Sequence, residues 1–420
     1  MKLRAAHLAA TALATSISLF SLFLAPTNAY ADSTNSTAVE PTTTFSAPND
    51  AGVKVEIYNS EPWVPTSGDD IVILKKYNSL INNATGSVRL SLYNWGNNDK
   101  LPDSADRLST TIAAARSRGV DLRAIANGTN YNLPDYVPAG LVNAMLADGT
   151  YHVCNTPTGV PNTNAQTSCE ANSIVAGDGE GSGSTMHAKF ATFQNSTDAT
   201  GTSWQWVSLI TSANHASSNW DNSNNAVVVY GDKALYDALN AWWDSMNSET
   251  DTGNLSVGTQ ATTLYTSPWS GSDPVAGRLD AFTKYSTTGG CQVYVTENEF
   301  NNSRVAVADQ LVKLHDDRDC TIKVLVSVIG STIKSKLAGK ASIIVATENI
   351  VHDKSILIKA ATNSSHDPRY FFFAGSQNLN ESGWKWDEET FLKVELTASA
   401  YAALRSQFGD HWVHEHGSWG

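Results

Sequence analysis

The chain has 420 residues, with 28 Lys and Arg against 41 Asp and Glu, and four Cys. A formal charge of −13 argues against tight, sequence-blind nucleic-acid binding, which needs clustered Lys and Arg, but it leaves room for a local basic pocket. Roughly 370 residues beyond the N-terminal segment exceed one ordinary core and predict two domains or two halves.

The chain opens with "MKLRAAHLAATALATSISLFSLFLAPTNAYADS". Lys2 and Arg4 precede an apolar stretch that ends in Ala29-Tyr30-Ala31, a small-x-small cleavage signal. Residues 1–31 therefore read as a secretory signal peptide, and the protein is expected to be secreted and extracellular. No later run reaches about 18 apolar residues, so the mature protein is expected to be soluble. Losing Lys2 and Arg4 leaves 26 basic against 41 acidic residues, a charge of −15. Residues 32–50, rich in Ser, Thr and Pro, read as a flexible leader.

A first half is expected over residues 51–250. "SVRLSLYNW" reads as a buried strand, and "ADRLSTTIAAARSRG" as a helix stopped at Gly119. "VDLRAIANG" is a strand, "AGLVNAMLADG" a short helix and "TYHVC" a strand. After a polar, Gly-rich stretch at 155–185 come "MHAKFATF", a turn, "WQWVSLITSAN" and "NNAVVVYG", then the helix "DKALYDALNAWWDSM". Residues 251–273 read as a linker.

The second half, over residues 274–416, runs in the same order: "CQVYVTENEF", "RVAVADQLVKLHDD", "CTIKVLVSV", "GSTIKSKLAG", "ASIIVAT", "IVHDKSILIKA", "YFFFAGSQN", "ETFLKVEL" and "ASAYAALRSQFGDHW". The fold class is α/β, resembling an α+β sandwich. Two similar halves are expected, each a mixed, largely parallel sheet flanked by helices. Cys154 and Cys169 are expected to pair, as are Cys291 and Cys320, which open two strands whose starts adjoin if they lie parallel.

His187 and Lys189 are two residues apart in a strand-like run, so both side chains project from one face. One such pair is weak evidence, because ten His and a Lys about every 25 residues give ~0.4 by chance. It recurs, however, at His352 and Lys354, and each half follows it with Ser-x-Asn: Ser212 and Asn214, then Ser376 and Asn378. The His-to-Asn spacings are 27 and 26.

This doubled pattern resembles the phospholipase D superfamily, in which each half supplies H-x-K-x4-D and then G-S-x-N. The resemblance spans about residues 53 to 414. It implies an active site at the interface of the halves and a phosphodiesterase that needs no metal or cofactor for this step. The family's motif Asp is replaced by Gln194 and Lys359, and Thr211 stands where the family has Gly. Loss of both Asp residues is shared with the tyrosyl-DNA phosphodiesterase branch. The resemblance also implies a carboxylate after each Ser-x-Asn that orients the opposite half's His. Asp387, Glu388 and Glu389 are candidates in the second half, with Glu389 taken as the site residue. The first half has no acid there, and Asp221 is the nearest substitute.

The residue types suit phosphoryl chemistry. Lys189 and Lys354 can neutralise the charge that builds on the phosphoryl oxygens, and Asn214 and Asn378 can donate hydrogen bonds to it. By resemblance His187 is the nucleophile and His352 the general acid, the latter starting protonated. Ser212 and Ser376 are expected to contact substrate. Trp204, Trp206, Trp220, Trp384 and Trp386 are candidates for contact with a lipid surface, and residues 155–185 for a lid. His215 adjoins Asn214 without matching the motif. His411, His414 and His416 read as a helix end and tail.

Three functions compete: a phospholipid head-group hydrolase with alcohol transfer as a second outcome, a nucleic-acid phosphodiesterase, and a non-catalytic phosphate binder. Export and charge favour the first, acting on phospholipid as a monomer with transient membrane contact.

Overall fold

In the computed structural model the described residues are 39–61, 71–95, 107–127, 139–154, 168–169, 184–216, 222–250, 254–269, 271–347 and 351–419. The first half contains β1 (Thr43–Ala47), β2 (Asp50–Asn59), α1 (Val72–Asn82), β3 (Thr85–Leu92), α2 (Leu108–Ser117), β4 (Asp121–Ala126), α3 (Ala139–Ala147), β5 (Tyr151–Val153), β6 (Phe190–Thr197), β7 (Ser203–Thr211), β8 (Asn225–Tyr230) and α4 (Lys233–Asn247). The second contains β9 (Ser256–Gly258), β10 (Thr262–Ser267), α5 (Pro274–Asp280), β11 (Gln292–Phe300), α6 (Val305–Arg318), β12 (Thr321–Ile329), α7 (Ser331–Leu337), β13 (Ser342–Val345), β14 (Lys354–Ala360), β15 (Arg369–Gly375), α8 (Ser382–Lys385), β16 (Glu389–Leu396) and α9 (Ala398–His414).

Among the described residues these strands form two eight-stranded sheets, ordered β1-β2-β8-β7-β6-β3-β4-β5 and β9-β10-β16-β15-β14-β11-β12-β13. The two orders superpose strand for strand, so the duplication read from the motifs extends across both sheets. The sheets are mixed, as expected, but not largely parallel. Parallel pairing is confined to β3-β4-β5 and β11-β12-β13, where helices carry the crossovers. The other five pairings in each sheet are antiparallel. Tight turns such as the one between β6 and β7 join antiparallel neighbours directly, which a parallel pair cannot use.

Two boundaries also shift. β1 lies within the expected flexible leader: Thr43, Phe45 and their neighbours pair with β2, and Phe45 and Ala47 are buried. The expected linker at 251–273 contains β9 and β10, which pair with each other and with β16. In each case a polar, Thr-rich stretch becomes an edge hairpin because a neighbouring strand supplies its hydrogen bonds and covers its few apolar side chains.

Local signals place the helices that face the core. Asp232 caps α4 by accepting from the Leu235 amide, and Thr397 caps α9 through Ala400. Gly119, at φ 82°, ends α2 in a conformation that favours glycine. Leu235, Leu239 and Trp242 of α4 join Leu404 and Phe408 of α9 and the facing sides of both sheets in one buried cluster. This shared core holds the halves together. The disulfides pair Cys154 with Cys169 and Cys291 with Cys320, the latter beside the adjacent starts of β11 and β12.

Candidate active site

The first H-x-K lies just before the central strand β6 and the second runs into the start of β14 at Lys354, and the opposite half holds the backbone of each. The His187 amide donates to Glu388 O at 3.0 Å, and the Glu388 amide donates to Thr185 O at 3.1 Å. The His352 amide donates to Ser223 O at 3.0 Å. Each His is thus placed by the chain that follows the other half's Ser-x-Asn, and neither half builds its site alone.

The two Lys side chains are fully buried, and each ammonium donates back across its motif: Lys189 to His187 O at 2.7 Å and Lys354 to His352 O at 2.8 Å. The remaining N–H groups are available for an anion. Asn214 is buried and Asn378 half-buried beside them. Burial lowers the pKa values of both Lys residues, Lys354 to about 8; nearby carboxyls oppose it, Glu389 and Asp387 at Lys189 and Glu297, Glu389 and Asp353 at Lys354, while Lys354 adds to the lowering at Lys189. Burying an ammonium is costly without negative charge nearby, which these carboxyls supply here.

His187 Nδ1 lies 2.7 Å from Glu389 Oε1, so the expected choice among the three second-half acids is the one in contact. Asp387 instead accepts the Thr185 amide at 2.9 Å and braces the segment leading into His187. Asp221, the expected substitute as orienter of His352, lies outside the described residues. His352 Nδ1 meets Asn224 Oδ1 at 2.8 Å. Register shows why. Thr211 pairs with Ala226 and Gly375 with Phe391, so Asn224 occupies the first-half counterpart of Glu389. An amide oxygen fixes the tautomer as a carboxylate does, but it supplies no counter-charge.

Both imidazoles are held well below the usual His range, first by burial and then by the two Lys cations. For a nucleophile this is the required state. For His352 the direction is the same and runs against the expectation of a ring protonated from the start. Replacing Asn224 by Asp places a carboxylate on His352 Nδ1 and raises its pKa. The alkaline limb of the kcat profile is expected to move up by about one unit, measured over pH 5 to 10.

Ser212 and Ser376, expected to contact substrate, make hydrogen bonds within the fold. Both are fully enclosed. Ser212 Oγ donates to Asn224 Oδ1 at 3.1 Å and accepts the Asn225 amide, and Ser376 Oγ accepts the Thr390 amide at 2.9 Å. They brace the strands that carry the orienters. Gly375 is required here because a Cβ would meet Thr390 O at 2.0 Å.

Gln194 and Lys359, in the positions of the motif Asp, lie about 17 Å along their strands from the catalytic Lys. Gln194 accepts the Ser87 amide before the core of β3, and Lys359 donates to Gly289 O before β11. Both tie a strand to its neighbour, so the substitution leaves the phosphate pocket intact.

Sequence reading missed Tyr93. Its ring packs edge-on to His187 at 4.4 Å, and the Lys189 ammonium lies 4.4 Å from its centroid. Nothing in the spacing marks it, because it comes from β3 rather than from the motif. His215 packs against Tyr77, and burial lowers its pKa to about 3.

Among the described residues the candidate tryptophans do not line the site. Trp204 donates to Asp198 and lies near the start of β7, about 26 Å along the strand from Ser212, with Trp206 about 20 Å away. Trp384 and Trp386 are buried, with Arg304 over the Trp384 ring. Trp220 lies outside the described residues, as does most of the expected lid at 155–185.

A family model described as the cardiolipin synthase, phospholipase D-like domain matches residues 77–247, the stretch that carries the first motif set. The second half has the same strand order and carries the partner set. Residues 77–247 belong to the phospholipase D superfamily. Superfamily members are phosphodiesterases and phosphotransferases. Two solved structures agree in fold. A phosphatidylserine synthase of Haemophilus influenzae is 10% identical at TM-score 0.51, covering 86% of each chain. A polyphosphate kinase of Porphyromonas gingivalis is 10% identical at TM-score 0.50, covering 87% of this chain and half of its own. The phospholipase D family member Nuc of Salmonella typhimurium is 16% identical at TM-score 0.30, over 47% of this chain and 95% of its own. No significant match is found among curated proteins.

Proposed function

We propose that this protein is a secreted phosphodiesterase that hydrolyses phospholipid head groups through a phosphohistidine on His187. The observation that carries the reading is the cross-half pairing of His187 with Glu389 beside two buried Lys residues. The phospholipid assignment is supported by the expected export and the acidic balance. The matching family model and one fold neighbour also carry the names of phospholipid enzymes.

The phosphate sits between Lys189 and Lys354, and its charge is met by their ammonium groups and by the Asn214 and Asn378 amides. Its arrival raises the pKa of His352, which takes a proton from solvent. His187, with Nδ1–H donating to Glu389, attacks phosphorus through the Nε2 lone pair. The P–O bond to the head group breaks, and the leaving alkoxide takes the His352 proton. Water then gives a proton to the now neutral His352 and attacks the phosphohistidine, releasing phosphatidic acid and free His187. Two in-line displacements retain configuration at phosphorus.

Pure protein incubated with a phospholipid panel and with DNA tests the substrate class: head-group release without DNA cleavage is expected, and the reverse overturns it. Activity is expected to persist in excess chelator, since each step uses only side chains and water. Ethanol is expected to divert part of the product to phosphatidylethanol, measured by mass spectrometry. Inversion at phosphorus would show direct attack by water, with His187 acting as a base instead.

A further inference from the structure

The close match of the two halves makes a charged mismatch beside the catalytic Lys residues informative. Glu297 on β11 pairs across the ladder with Lys354. The same register places Leu92 of β3 opposite Lys189, because Ser91 pairs with Phe190. A fully buried apolar position in the first half is thus a fully buried carboxyl in the second. Among the described residues no side chain donates to it, and the Leu379 amide faces it. An isolated buried carboxyl is strongly disfavoured unless a nearby charge compensates it.

A second mismatch explains the first. His187 has the carboxylate of Glu389, whereas His352 has the neutral amide of Asn224. The half that lacks an acid on its His carries one beside its Lys. Buried carboxyls flank both Lys residues, Glu389 and Asp387 near Lys189 and Glu297 and Asp353 near Lys354. Glu389, Asp387 and Asp353 each meet a hydrogen-bonding group, at His187, the Thr185 amide and Asn225, whereas among the described residues no side chain donates to Glu297.

We propose that Glu297 is a positioning residue that serves as the counter-charge of Lys354 in the empty site and takes up a proton when a tetrahedral anion binds. This rests on the phosphodiesterase reading above. The groups that face the pair are Lys354 and Asp353 on its partner strand, Arg304 ahead of α6, Asp273 ahead of α5, and Glu389 from β16. Arg304 is already committed. It is ion-paired with Asp273 at 2.7 Å, and it donates to Asn380 O at 3.2 Å and Asn378 O at 3.4 Å. Lys354 is thus the cation left to balance Glu297. Lys354 acts on Glu297 across the ladder as a through-space charge, since among the described residues no side chain donates to either carboxyl oxygen. A bound anion claims the ammonium's charge, the carboxylate then faces uncompensated negative charge, and it is neutralised by a proton from solvent. Burial, the leading influence on Glu297, already pushes its pKa well above the usual carboxylate range, which makes that uptake accessible near neutral pH.

Tungstate tests this without turnover, since it is a tetrahedral dianion that carries no proton of its own near neutral pH. Calorimetry in buffers of different ionisation enthalpy counts the protons bound with it. Wild type is expected to take up about one proton more per tungstate than Glu297→Gln, with Glu297→Asp close to wild type. Equal uptake in wild type and Glu297→Gln overturns the proposal. Should the Gln variant fail to fold, infrared difference spectra of wild type and Glu297→Asp serve instead. A carboxylic-acid band that forms on binding and moves with the Asp substitution supports the proposal, and an unmoved or absent band overturns it. Binding with unchanged uptake leaves the phosphodiesterase reading standing. No tungstate binding by wild type removes both.

Discussion

His187→Ala is expected to lower phosphodiester turnover by about 10⁴- to 10⁶-fold while the fold survives, because it removes the atom that forms the covalent intermediate. His352→Ala is expected to lose about 10²- to 10⁴-fold on natural head groups, whose alkoxides need a proton to leave. Leaving-group dependence separates the roles. With bis-p-nitrophenyl phosphate, whose leaving group departs unprotonated, His352→Ala is expected to recover much of its first step. It should then accumulate an acid-labile phosphoprotein, because water lacks its base. The same label is expected to be absent from His187→Ala. Quenched-flow labelling with radioactive substrate and peptide mapping reads both outcomes. A label on the His352 peptide would exchange the roles of the halves, and wild-type turnover in either variant would remove the two-half site.

The duplicated H-x-K and Ser-x-Asn were legible because they are short, local and repeated. The alternating apolar runs gave the central strands because each is buried on both faces; β8, for example, is enclosed throughout. Other elements were hidden for physical reasons. α1 begins at Ile71 without a side-chain cap, so no start signal marks it. β1 and β9 are edge strands with little burial of their own, and β10, though largely buried, is polar and Thr-rich, so the identity of all three as strands depends on a neighbour. Asn224 was unreadable as the partner of His352 because the two Ser-to-orienter spacings differ by one residue, and only strand register aligns them. Glu297 looked like one acid among many in "CQVYVTENEF"; its proximity to Lys354 arises from an antiparallel pairing more than fifty residues apart.

Glu389→Gln is expected to be the most damaging substitution outside the motifs themselves, at about 10²- to 10⁴-fold in kcat. The reason is tautomeric as well as electrostatic. A glutamine at this position can turn its NH2 toward Nδ1, which then accepts instead of donating. Nε2 then carries the proton and loses the lone pair that attacks phosphorus. The imidazole also loses the charge that stabilises it as its bond to phosphorus forms. Asn224→Ala removes an equally short contact, 2.8 Å against 2.7 Å, from the other His. Its effect is expected to be smaller, because Asn224 orients His352 without adding charge. The ratio of the two losses is therefore a direct measure of what the buried carboxylate does beyond orientation. It is read from kcat on one phospholipid substrate, with circular dichroism confirming that both variants fold. Equal losses would mean that orientation alone matters and that Glu389 is protonated when the enzyme acts. A larger loss for Asn224→Ala would place the nucleophile on the second half. If the expected order holds, Glu389→Asp should recover part of the activity, since a shorter carboxylate keeps the charge and the acceptor while lengthening the contact.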